Sequence, residues 1–463
     1  MIILGTNSIK DTGYDVANSI RLGEHNHYLV RNKTTATNVE DFTISVWVKR
    51  AKLGTKNAIM SSWGGDSNNT GSVYFTSGDK LTFEAQTSGS YSANGGVRKI
   101  TTQVFRDVSA WSHFVFKKDD GVFKIFHNGV EITDFDTDTE SSGTNVFSTS
   151  TGNISIGIEN LASAGHYFQG YIAETILVDG QALDPTSFGE FDEDSPTIWK
   201  PKDVSGLTFG NNGFYLDFED ASNLGNDASG GTDFTELNLA AIDQSTDTCT
   251  NNFATMNPLA AYYSASTFSE GNLKVVTGSS AYTYDISTIG VASGKWYWEF
   301  KYTAAGGDPH NVGHFGISGK GMPTANSHSL GYYSTDYGIS ADSGGTLYNN
   351  NSGTTNSLYN VAIGDIIAFA LDLDSGTNTL KYYRNGTEKI TINISSSPEN
   401  GFYFPAFGFT YSAASGTFEA NFGGTQSFSI SSGNSDANGF GNFEYSVPSG
   451  YFSLCTKNLA EFG

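Results

Sequence analysis

Short runs of apolar residues, each bounded by glycine, asparagine, aspartate or serine, recur along the whole chain. Examples are residues 42–48, 114–116, 154–158 and 296–300. Such runs are typical of β-strands, and no window of about 12 residues carries the apolar spacing of an amphipathic helix. The chain is therefore predicted to be all-β, with two β-sandwich (jelly-roll) domains in tandem and an irregular connector.

Two asparagine–glycine pairs mark tight turns between predicted strands. They are Asn128-Gly129 and Asn385-Gly386. Both central residues of a type I′ turn need a positive φ angle, which asparagine and glycine adopt at little cost. Both pairs are therefore predicted to close β-hairpins.

The balance of charge excludes several classes of partner. Lys and Arg number 25 and Asp and Glu 48, which gives a formal net charge of −23. Nucleic-acid binders need clustered cations to displace counterions, and anionic membrane surfaces repel acidic proteins. No apolar stretch approaches the ~18 residues of a membrane span. We therefore expect no nucleic-acid partner and no membrane insertion.

The composition also predicts what covers the surface. The 463 residues include 54 glycines and are 14% aromatic, but only 16% are charged. Glycine suits tight turns and aromatic residues suit strands, and a hydrophobic content of 38% favours a buried core over disorder. Serine, threonine and asparagine are therefore expected to cover much of the exterior.

Changes in composition along the chain predict five segments. They are an N-terminal arm (1–14), a first sandwich (15–200), a connector that completes or packs on it (201–265), a second sandwich (266–425) and a C-terminal tail that packs back on a domain (426–463). The N-terminus has neither the basic region nor the apolar run of a signal peptide. Cys249 and Cys455 do not form the framework of a disulfide-rich domain, and whether they pair is left open.

Three groups of residues in the first block carry a resemblance to a known family. They are residues 18–22, 28–30 and 42–48; residues 111–116 and 126–129; and residues 168–174 and 177–184. In this order they resemble the laminin-G/concanavalin-A-like jelly-roll domains, which implies a lectin-like sandwich. The family often has an aspartate where this chain has Ala173, so no role of that acidic pair is carried over to Glu174.

Four residues of the first block are predicted to be structural. Trp47 and Trp111 lie in strand runs, where large aromatic side chains pack in the core or on a sheet. His113 follows Trp111 at strand spacing and is expected to share its face. Glu174 is expected to serve as a hydrogen-bonding residue.

The acidic runs of the first block do not match a catalytic pattern. Retaining glycosidases need two carboxyl groups on one strand face about 5–5.5 Å apart, and no convincing strand carries such a pair. Residues 190–194 are acidic but run into a proline and are predicted to be a linker. Asp134, Asp136 and Asp138 offer two alternatives, a Ca²⁺ site built from alternating carboxylates or a solvated acidic loop. No other cofactor is expected.

The second block carries a more specific resemblance. Its residue groups are 293–300, 312–317, 331–333, 347–349, 364–373, 380–386, 403–407 and 420–423. In this order they resemble the SPRY domain, a bent β-sandwich that serves as a binding module and recognises partners through loops at one end. The resemblance implies that Tyr332 and Tyr348 pack structurally.

Loop residues of the second block are the candidate ligand contacts. Tyr333, Asp336 and Tyr337 could offer ring faces and a carboxylate to a sugar, and the polar segment 343–357 is a further candidate loop. Trp296 and Trp298 share a strand face and are predicted to be core. His310 and His314 have no Cys or acidic companion, so no transition-metal site is expected.

The order of the two modules, with a connector that includes residues 212–218 and 243–258, resembles virion proteins of tailed bacteriophages. The leading hypothesis is a non-catalytic virion surface protein, a tail fibre or appendage, that binds host surface glycans in many weak copies. The N-terminal region would contact other virion proteins, and phage fibres suggest a homo-oligomer, a trimer by analogy. Alternatives are a purely structural capsid or tail decoration, a glycan-cleaving enzyme, and a secreted cellular adhesin.

Overall fold

The computed structural model describes residues 11–23, 26–160, 164–260, 262–263, 266–278, 282–305, 313–321, 328–341, 344–409 and 415–463. From Thr12 onward these residues form two compact units, which we call the first unit (Thr12–Thr250) and the second unit (Asn251–Gly463). The division falls inside the predicted connector 201–265. The part of the connector after Thr250 belongs to the second unit, and residues 1–10 of the predicted arm lie outside the described residues.

The first unit consists of strands with a few 3₁₀ turns, at Val146–Ser148, Pro185–Ser187 and Ala241–Asp243. Its strands are β1 (Ser19–Leu22), β2 (Tyr28–Asn32), β3 (Phe42–Arg50), β4 (Asn57–Trp63), β5 (Thr70–Phe75), β6 (Lys80–Gln86), β7 (Val97–Val104), β8 (Ser112–Asp119), β9 (Val122–His127), β10 (Val130–Ile132), β11 (Phe135–Glu140), β12 (Asn153–Ile156), β13 (Glu159–Asn160), β14 (Ala164–Gly165), β15 (Gly170–Asp179), β16 (Gly189–Phe191), β17 (Trp199–Pro201), β18 (Phe214–Leu216), β19 (Thr235–Leu237) and β20 (Gln244–Ser245).

Two eight-stranded antiparallel sheets form the sandwich of the first unit. Sheet 1 has the order β10-β9-β8-β3-β15-β1-β20, with β18 also paired to β15, and sheet 2 has the order β11-β7-β6-β5-β4-β12-β2-β19. Phenylalanines from both sheets meet in the core, as in the pair of Phe42 and Phe83, whose ring centroids are 6.2 Å apart. The prediction of an all-β sandwich is confirmed for this unit.

A β-bulge in β15 decides which side chains face the core. The register against β3 shifts between Ala173 and Ile176, and Glu174 has a φ of 45°. Ile172 and Leu177 both lie in the inner core, although an odd number of positions separates them. Because successive strand residues face opposite sides, only the extra residue of the bulge allows this arrangement.

The outer face of sheet 1 is covered by the segment that follows β15. Val204, Tyr215 and Phe188 pack on it in one apolar cluster, and β18 pairs directly with β15. Residues 190–194, predicted to be a linker, instead belong to a short hairpin of β16 and β17, in which Asp192 accepts the N–H groups of residues 194 and 195. That prediction was wrong because residues 192–195 form a turn between two strands, which the acidic composition alone does not reveal.

The second unit is also a sandwich of two β-sheets. Its strands are β21 (Tyr262–Tyr263), β22 (Thr267–Ser269), β23 (Lys274–Val276), β24 (Thr283–Ile286), β25 (Lys295–Ala304), β26 (Gly313–Ser318), β27 (Asp336–Ser340), β28 (Thr346–Asn349), β29 (Ser352–Thr355), β30 (Ile366–Asp372), β31 (Thr379–Arg384), β32 (Thr387–Asn393), β33 (Phe404–Phe409), β34 (Thr417–Asn421) and β35 (Phe452–Ser453). A 3₁₀ turn lies at Ser357–Tyr359, and helix α1 spans Thr456–Phe462.

Aromatic side chains pack between the two sheets of the second unit. Sheet 3 has the order β21-β24-β33-β26-β27-β28-β29, and sheet 4 has the order β22-β23-β34-β25-β30-β31-β32. Phe407 of sheet 3 and Phe418 of sheet 4 have ring centroids 3.9 Å apart. The C-terminal strand β35 pairs in parallel with β25, so the last residues join sheet 4. Trp296 and Trp298 are fully buried, as predicted.

Among the described residues, no helix has both the length and the apolar character that a membrane span requires.

Both asparagine–glycine turns have the backbone that the sequence predicts. Asn128 and Gly129 have φ angles of 47° and 78°, and Asn385 and Gly386 have 49° and 73°. These are the positive values of a type I′ turn.

Candidate functional site

The residues predicted to be structural in the first unit are buried, which confirms that prediction. The ring of His113 stacks on Trp47, with centroids 4.7 Å apart, and its Nδ1 accepts the indole N–H of Trp199 at 2.9 Å. Its Nε2 therefore carries the proton and donates to Ser45 Oγ at 2.8 Å. Burial lowers the pKa of His113 to about 3, so this histidine is neutral at physiological pH.

Glu174 is a buried carboxyl group at the bulge of β15. The hydroxyl of Tyr215 lies 2.9 Å from both carboxyl oxygens, and the hydroxyl of Tyr14 lies 3.1 Å from that of Tyr215. Burial raises the pKa of Glu174 to about 8. The hydrogen-bonding role predicted for Glu174 is confirmed, because this carboxyl group joins β15, β18 and Tyr14.

The three aspartates predicted as a Ca²⁺ site or a solvated loop lie at the start of β11 and along it. Asp136 forms an ion pair with Lys80, and Lys99 Nζ lies 2.5 Å from Asp138 Oδ1. Asp134 precedes the strand. Within the described part of the chain, no three His, Cys, Asp or Glu side chains lie together as a metal ion would require. Residues 135–140 form a strand rather than the predicted loop, in which exposed carboxylates alternate with half-buried residues. The carboxylates of Asp136 and Asp138 meet Lys80 of β6 and Lys99 of β7.

An open cleft of about 420 Å³ adjoins these aspartates, and we call it the β10 cleft. It lies between the edge strand β10 and the end of β7. The side chains that line it are Thr102, Gln103, His127, Val130, Glu131, Ile132, Thr133 and Asp134. The turn at Asn128-Gly129 positions β10 along one wall of the cleft.

The predicted ligand residues of the second unit differ in exposure. Tyr333 is partly exposed, whereas Asp336 and Tyr337 are buried at the start of β27. Asp336 accepts a hydrogen bond from Ser318 Oγ at 3.2 Å, and Tyr337 Oη accepts the N–H of Ser395 at 3.0 Å. Asp336 and Tyr337 are therefore corrected from ligand contacts to interior residues, because β27 lies inside sheet 3 rather than in a loop.

Burial raises the pKa of Asp336 to about 6. Its neighbour Ser318 also accepts the hydroxyl of Tyr284 at 2.5 Å. The three side chains form a polar group inside the sandwich, where hydrogen bonds offset the cost of burying them. Asp336 also accepts a backbone hydrogen bond from Tyr333, so this group helps to hold the turn that carries Tyr333.

Tyr333 belongs to a surface group that we call the aromatic cluster, formed by His328, Tyr332 and Tyr333. The rings of His328 and Tyr332 stack with centroids 3.4 Å apart, and His328 Nδ1 is hydrogen-bonded to Tyr333 Oη at 2.8 Å. All three residues are partly exposed. The cluster therefore offers ring faces together with polar ring edges at the surface.

A charged pair borders the aromatic cluster. Lys320 Nζ lies 4.9 Å from the ring centroid of Tyr333 and 2.5 Å from Glu399 Oε2. Asn400 Nδ2 donates to the carbonyl of Lys320 at 3.2 Å. The cluster is thus edged by a cation, a carboxylate and an amide, which are the groups that hydrogen-bond hydroxyl-rich ligands.

Sequence reasoning found only Tyr333 of the aromatic cluster. Tyr332 was expected to pack structurally, and it does stack on a ring, but that ring is His328 at the surface. The turn between Leu330 and Asp336 brings these residues together, and no spacing rule would single out His328. The predicted loop 343–357 contains the hairpin of β28 and β29, and Ser343 lies outside the described residues.

Five other residues singled out from the sequence are placed as follows. His314 Nδ1 is hydrogen-bonded to the carbonyl of Leu330 at 2.7 Å, and the ring of Tyr348 stacks on it. His310 lies outside the described residues. Cys249 and Cys455 are free thiols.

Two family models match the chain. Residues 22–186 match the laminin G model described as the concanavalin A-like lectin/glucanases superfamily. Residues 295–425 match the model described as the SPRY domain. A search of the curated proteins found no match to this sequence.

Several solved structures are similar to parts of the chain. The SPRY domain of human HERC1 is 20% identical, with a TM-score of 0.30, and the match covers 38% of this chain and 99% of that one. Domains LG4-5 of the mouse laminin α1 chain are 10% identical, with a TM-score of 0.31 and coverage of 89% and 90%. The heptameric SAP-like pentraxin from Limulus polyphemus is 16% identical, with a TM-score of 0.29 and coverage of 37% and 79%.

These identities and TM-scores are low, so the structural likenesses carry no functional information. The family models rest on the sequence and follow the same order as the two sandwiches. The chain therefore carries a laminin-G-like, concanavalin A-like domain followed by a SPRY domain.

Proposed function

We propose that this protein is a non-catalytic adhesion protein that binds surface glycans, with the aromatic cluster as a contact site. The observation that carries the proposal is the stack of His328 and Tyr332 beside Tyr333, all partly exposed at the surface. Aromatic side chains supply a large rigid contact area at low entropic cost, and the polar edges of Tyr and His fix orientation.

The groups around the cluster suit a hydroxyl-rich ligand. Lys320 and Glu399 neutralise each other at the edge of Tyr333, so the site presents hydrogen-bonding groups without a strong net charge. Burial lowers the pKa of His328, which favours a neutral ring. A neutral imidazole and two phenols can each donate and accept hydrogen bonds with sugar hydroxyls.

The first unit supports the same class of function. Its family model is described by the words lectin and glucanases, and only 16% of the chain is charged. The superfamily also contains enzymes, so the absence of catalysis is part of the proposal. Release of reducing sugars from a bound polysaccharide, lost on a single Asp or Glu change, would contradict it.

The finer proposal places the protein on the surface of a tailed-phage virion, as a tail fibre or appendage that adsorbs to host glycans. The order of a laminin-G-like and a SPRY module supports this assignment. Weak sugar contacts become strong when many copies act together on one particle. Gold-labelled antibodies should decorate the tail of the virion, whereas labelling of the head alone would favour a structural decoration.

The binding proposal is tested with the purified full-length protein, made multivalent on fluorescent beads, on an array of cell-surface glycans. We expect selective binding to a subset of glycans, and at least a tenfold loss for Tyr333→Ala and for Tyr332→Ala. Tyr91→Ala is the matched control, because Tyr91 is also partly exposed but lies in the first unit.

Each outcome of this experiment bears on the proposal. Binding that Tyr91→Ala preserves and both cluster variants lose supports it. Binding that all three variants preserve removes the aromatic cluster as the site. No glycan binding by the multivalent protein overturns the proposed function. Circular dichroism checks that each variant is folded.

A further inference from the structure

The β10 cleft is a second concave surface, and it lies wholly within the first unit. Its volume of about 420 Å³ falls within the roughly 300–1,000 Å³ of typical small-ligand sites. It is framed by an edge strand of sheet 1 and the end of a strand of sheet 2. The cleft is therefore large enough for one or two sugar rings and is open to a longer chain.

One wall of the cleft is apolar and exposed. Val130 is 60% exposed, and Ile132 lies on the same face of β10 by strand spacing. Ile132 also packs against the inner core, whereas the exposed side chain of Val130 would gain favourable burial if a ligand packed on it. The C–H face of a sugar ring has the size and polarity to do so.

Three polar side chains of the lining are available to a ligand. Within the described residues, the side chains of Gln103, Thr133 and Asp134 make no hydrogen bond, and all three are exposed. An amide, a hydroxyl and a carboxylate together can accept and donate bonds to several sugar hydroxyls. Polar groups from the end of β7 and from the residues after β10 thus line the cleft beside its apolar wall.

The charge of the lining selects among ligands. Glu131 and Asp134 are carboxylates, and no lysine or arginine of the described part of the chain lines the cleft. His127 is held under the ring of Phe114, and burial lowers its pKa to about 4, so it carries no positive charge at neutral pH. Lys124 is already paired with Glu131 at 3.0 Å. Among the described residues Asp134 has no ion-pair partner, so a carboxylated or sulfated ligand would meet its negative charge in the cleft.

We propose that the β10 cleft binds an uncharged oligosaccharide and rejects uronic-acid and sulfated glycans. This inference rests on the proposed function and adds a second site with a stated ligand class. The two sites belong to different units, so one chain would make two independent sugar contacts. Such bivalency raises the overall avidity of a single copy even when each contact is weak.

The test measures full-length protein by saturation-transfer NMR and by the glycan array, with two sets of probes. The neutral set contains manno-, galacto-, gluco- and xylo-oligosaccharides, and the acidic set contains heparin fragments and oligogalacturonates. We expect binding to at least one neutral probe, and at least a fivefold loss of affinity for Val130→Ala and for Asp134→Ala.

Val122→Ala is the matched control. Val122 is an exposed valine of β9 that does not line the cleft, so its loss should leave affinity unchanged. Val130→Ala and Val122→Ala both remove exposed side chains. Melting curves of both variants, compared with that of the wild type, check that each variant is folded. The Tyr333→Ala background isolates the β10 cleft from the aromatic cluster.

Four outcomes of these measurements support or overturn the inference about the β10 cleft. Neutral binding in the Tyr333→Ala background that Val130→Ala abolishes supports the inference. Neutral binding that Tyr333→Ala abolishes and Val130→Ala preserves overturns the cleft site while the proposed function stands. Acidic probes that compete at the cleft overturn the ligand class. No binding of any probe overturns the inference and the proposed function together.

Discussion

Lys49 Nζ lies 2.7 Å from Asp247 Oδ2, and both side chains are 1% exposed. The other oxygen of Asp247 accepts the indole N–H of Trp111 at 3.0 Å. The pair joins β3 in sheet 1 to a residue within the predicted connector, nearly two hundred residues later in the chain. Arg21 and Asp243 make a second buried link of this kind at 3.1 Å.

Asp247→Ala should destabilise the first unit strongly. It removes the carboxylate that pairs with the buried Lys49 ammonium, and breaking such a buried pair costs about 3–5 kcal/mol in comparable cases. Calorimetry of the full chain should show one transition moved to lower temperature. Asp184→Asn is the control, because Asp184 pairs with Lys117 at the exposed surface and should cost less than about 1 kcal/mol. Equal effects of the two changes would refute the argument.

Glu174 makes the stability of the first unit depend on pH. Its folded pKa, raised to about 8 by burial, exceeds the unfolded value near 4.5. The stabilising contribution is therefore fully present below about pH 4.5 and is lost as the pH rises through 8. Glu174→Gln cannot ionise, so the difference in unfolding free energy between variant and wild type should shift in favour of the variant by roughly 2–5 kcal/mol between pH 4.5 and 8.

The difference between the two proteins is the informative quantity, because other groups titrate in the same range. Lys33, whose pKa burial lowers to about 7, contributes a slope of opposite sign above that pH. That contribution is common to variant and wild type and cancels. Urea titrations at unit pH intervals measure the difference. A difference that does not change with pH would show that Glu174 is ionised at the same pH in both states.

Gly129→Ala should be more damaging than Gly54→Ala. Both glycines have positive φ angles, 78° and 73°, so both variants incur about 1–2 kcal/mol for the left-handed conformation. A Cβ on Gly129 would also lie 2.3 Å from the ring of Trp199, whereas nothing lies within 4 Å of one on Gly54. Thermal unfolding of both variants measures the excess, and equal losses would mean that the indole moves freely.

Glu299 anchors the C-terminal segment to sheet 4. Its carboxylate accepts the backbone N–H groups of Glu444 and Tyr445 at 3.0 and 2.9 Å and the hydroxyl of Tyr297 at 3.0 Å. Glu299→Ala leaves these donors unsatisfied, at about 1–3 kcal/mol each where they stay buried.

Limited proteolysis followed by mass spectrometry tests this anchor. Cleavage between residues 425 and 452 should become at least tenfold faster in Glu299→Ala. Glu388→Ala, at an exposed pair with Lys381, should leave the rate unchanged. If both variants are cleaved at the wild-type rate, the segment is held by β35 and α1 alone.

Features that depend on neighbouring residues were predictable. The turns at Asn128-Gly129 and Asn385-Gly386 follow from the positive φ angles that those residues tolerate. The burial of Trp296, Trp298 and His113 follows from strand alternation and side-chain size. These requirements are met within a few residues and need no knowledge of the sheet order.

Features that depend on contacts between distant residues were not predictable from the sequence. Asp336 and Tyr337 are polar residues after a turn, typical of a loop, yet β27 is covered on both edges by β26 and β28 and their side chains are interior. The linker predicted at 190–194 became a hairpin because Trp199 packs under Phe191, with ring centroids 4.9 Å apart. The β10 cleft needs the end of β7 beside β10, which no local pattern shows.

The sequence by itself determined that this is an acidic, turn-rich all-β chain with two sandwich modules in a defined order, because alternation, turn chemistry and charge are local or summed properties. Tertiary structure decided which polar residues are interior and which are exposed. The bulge at Glu174 reverses the faces of β15, and the ion pair of Lys49 and Asp247 fixes the connector on sheet 1. Both depend on pairing between segments far apart in the chain, where burial rather than residue type sets the role of a side chain.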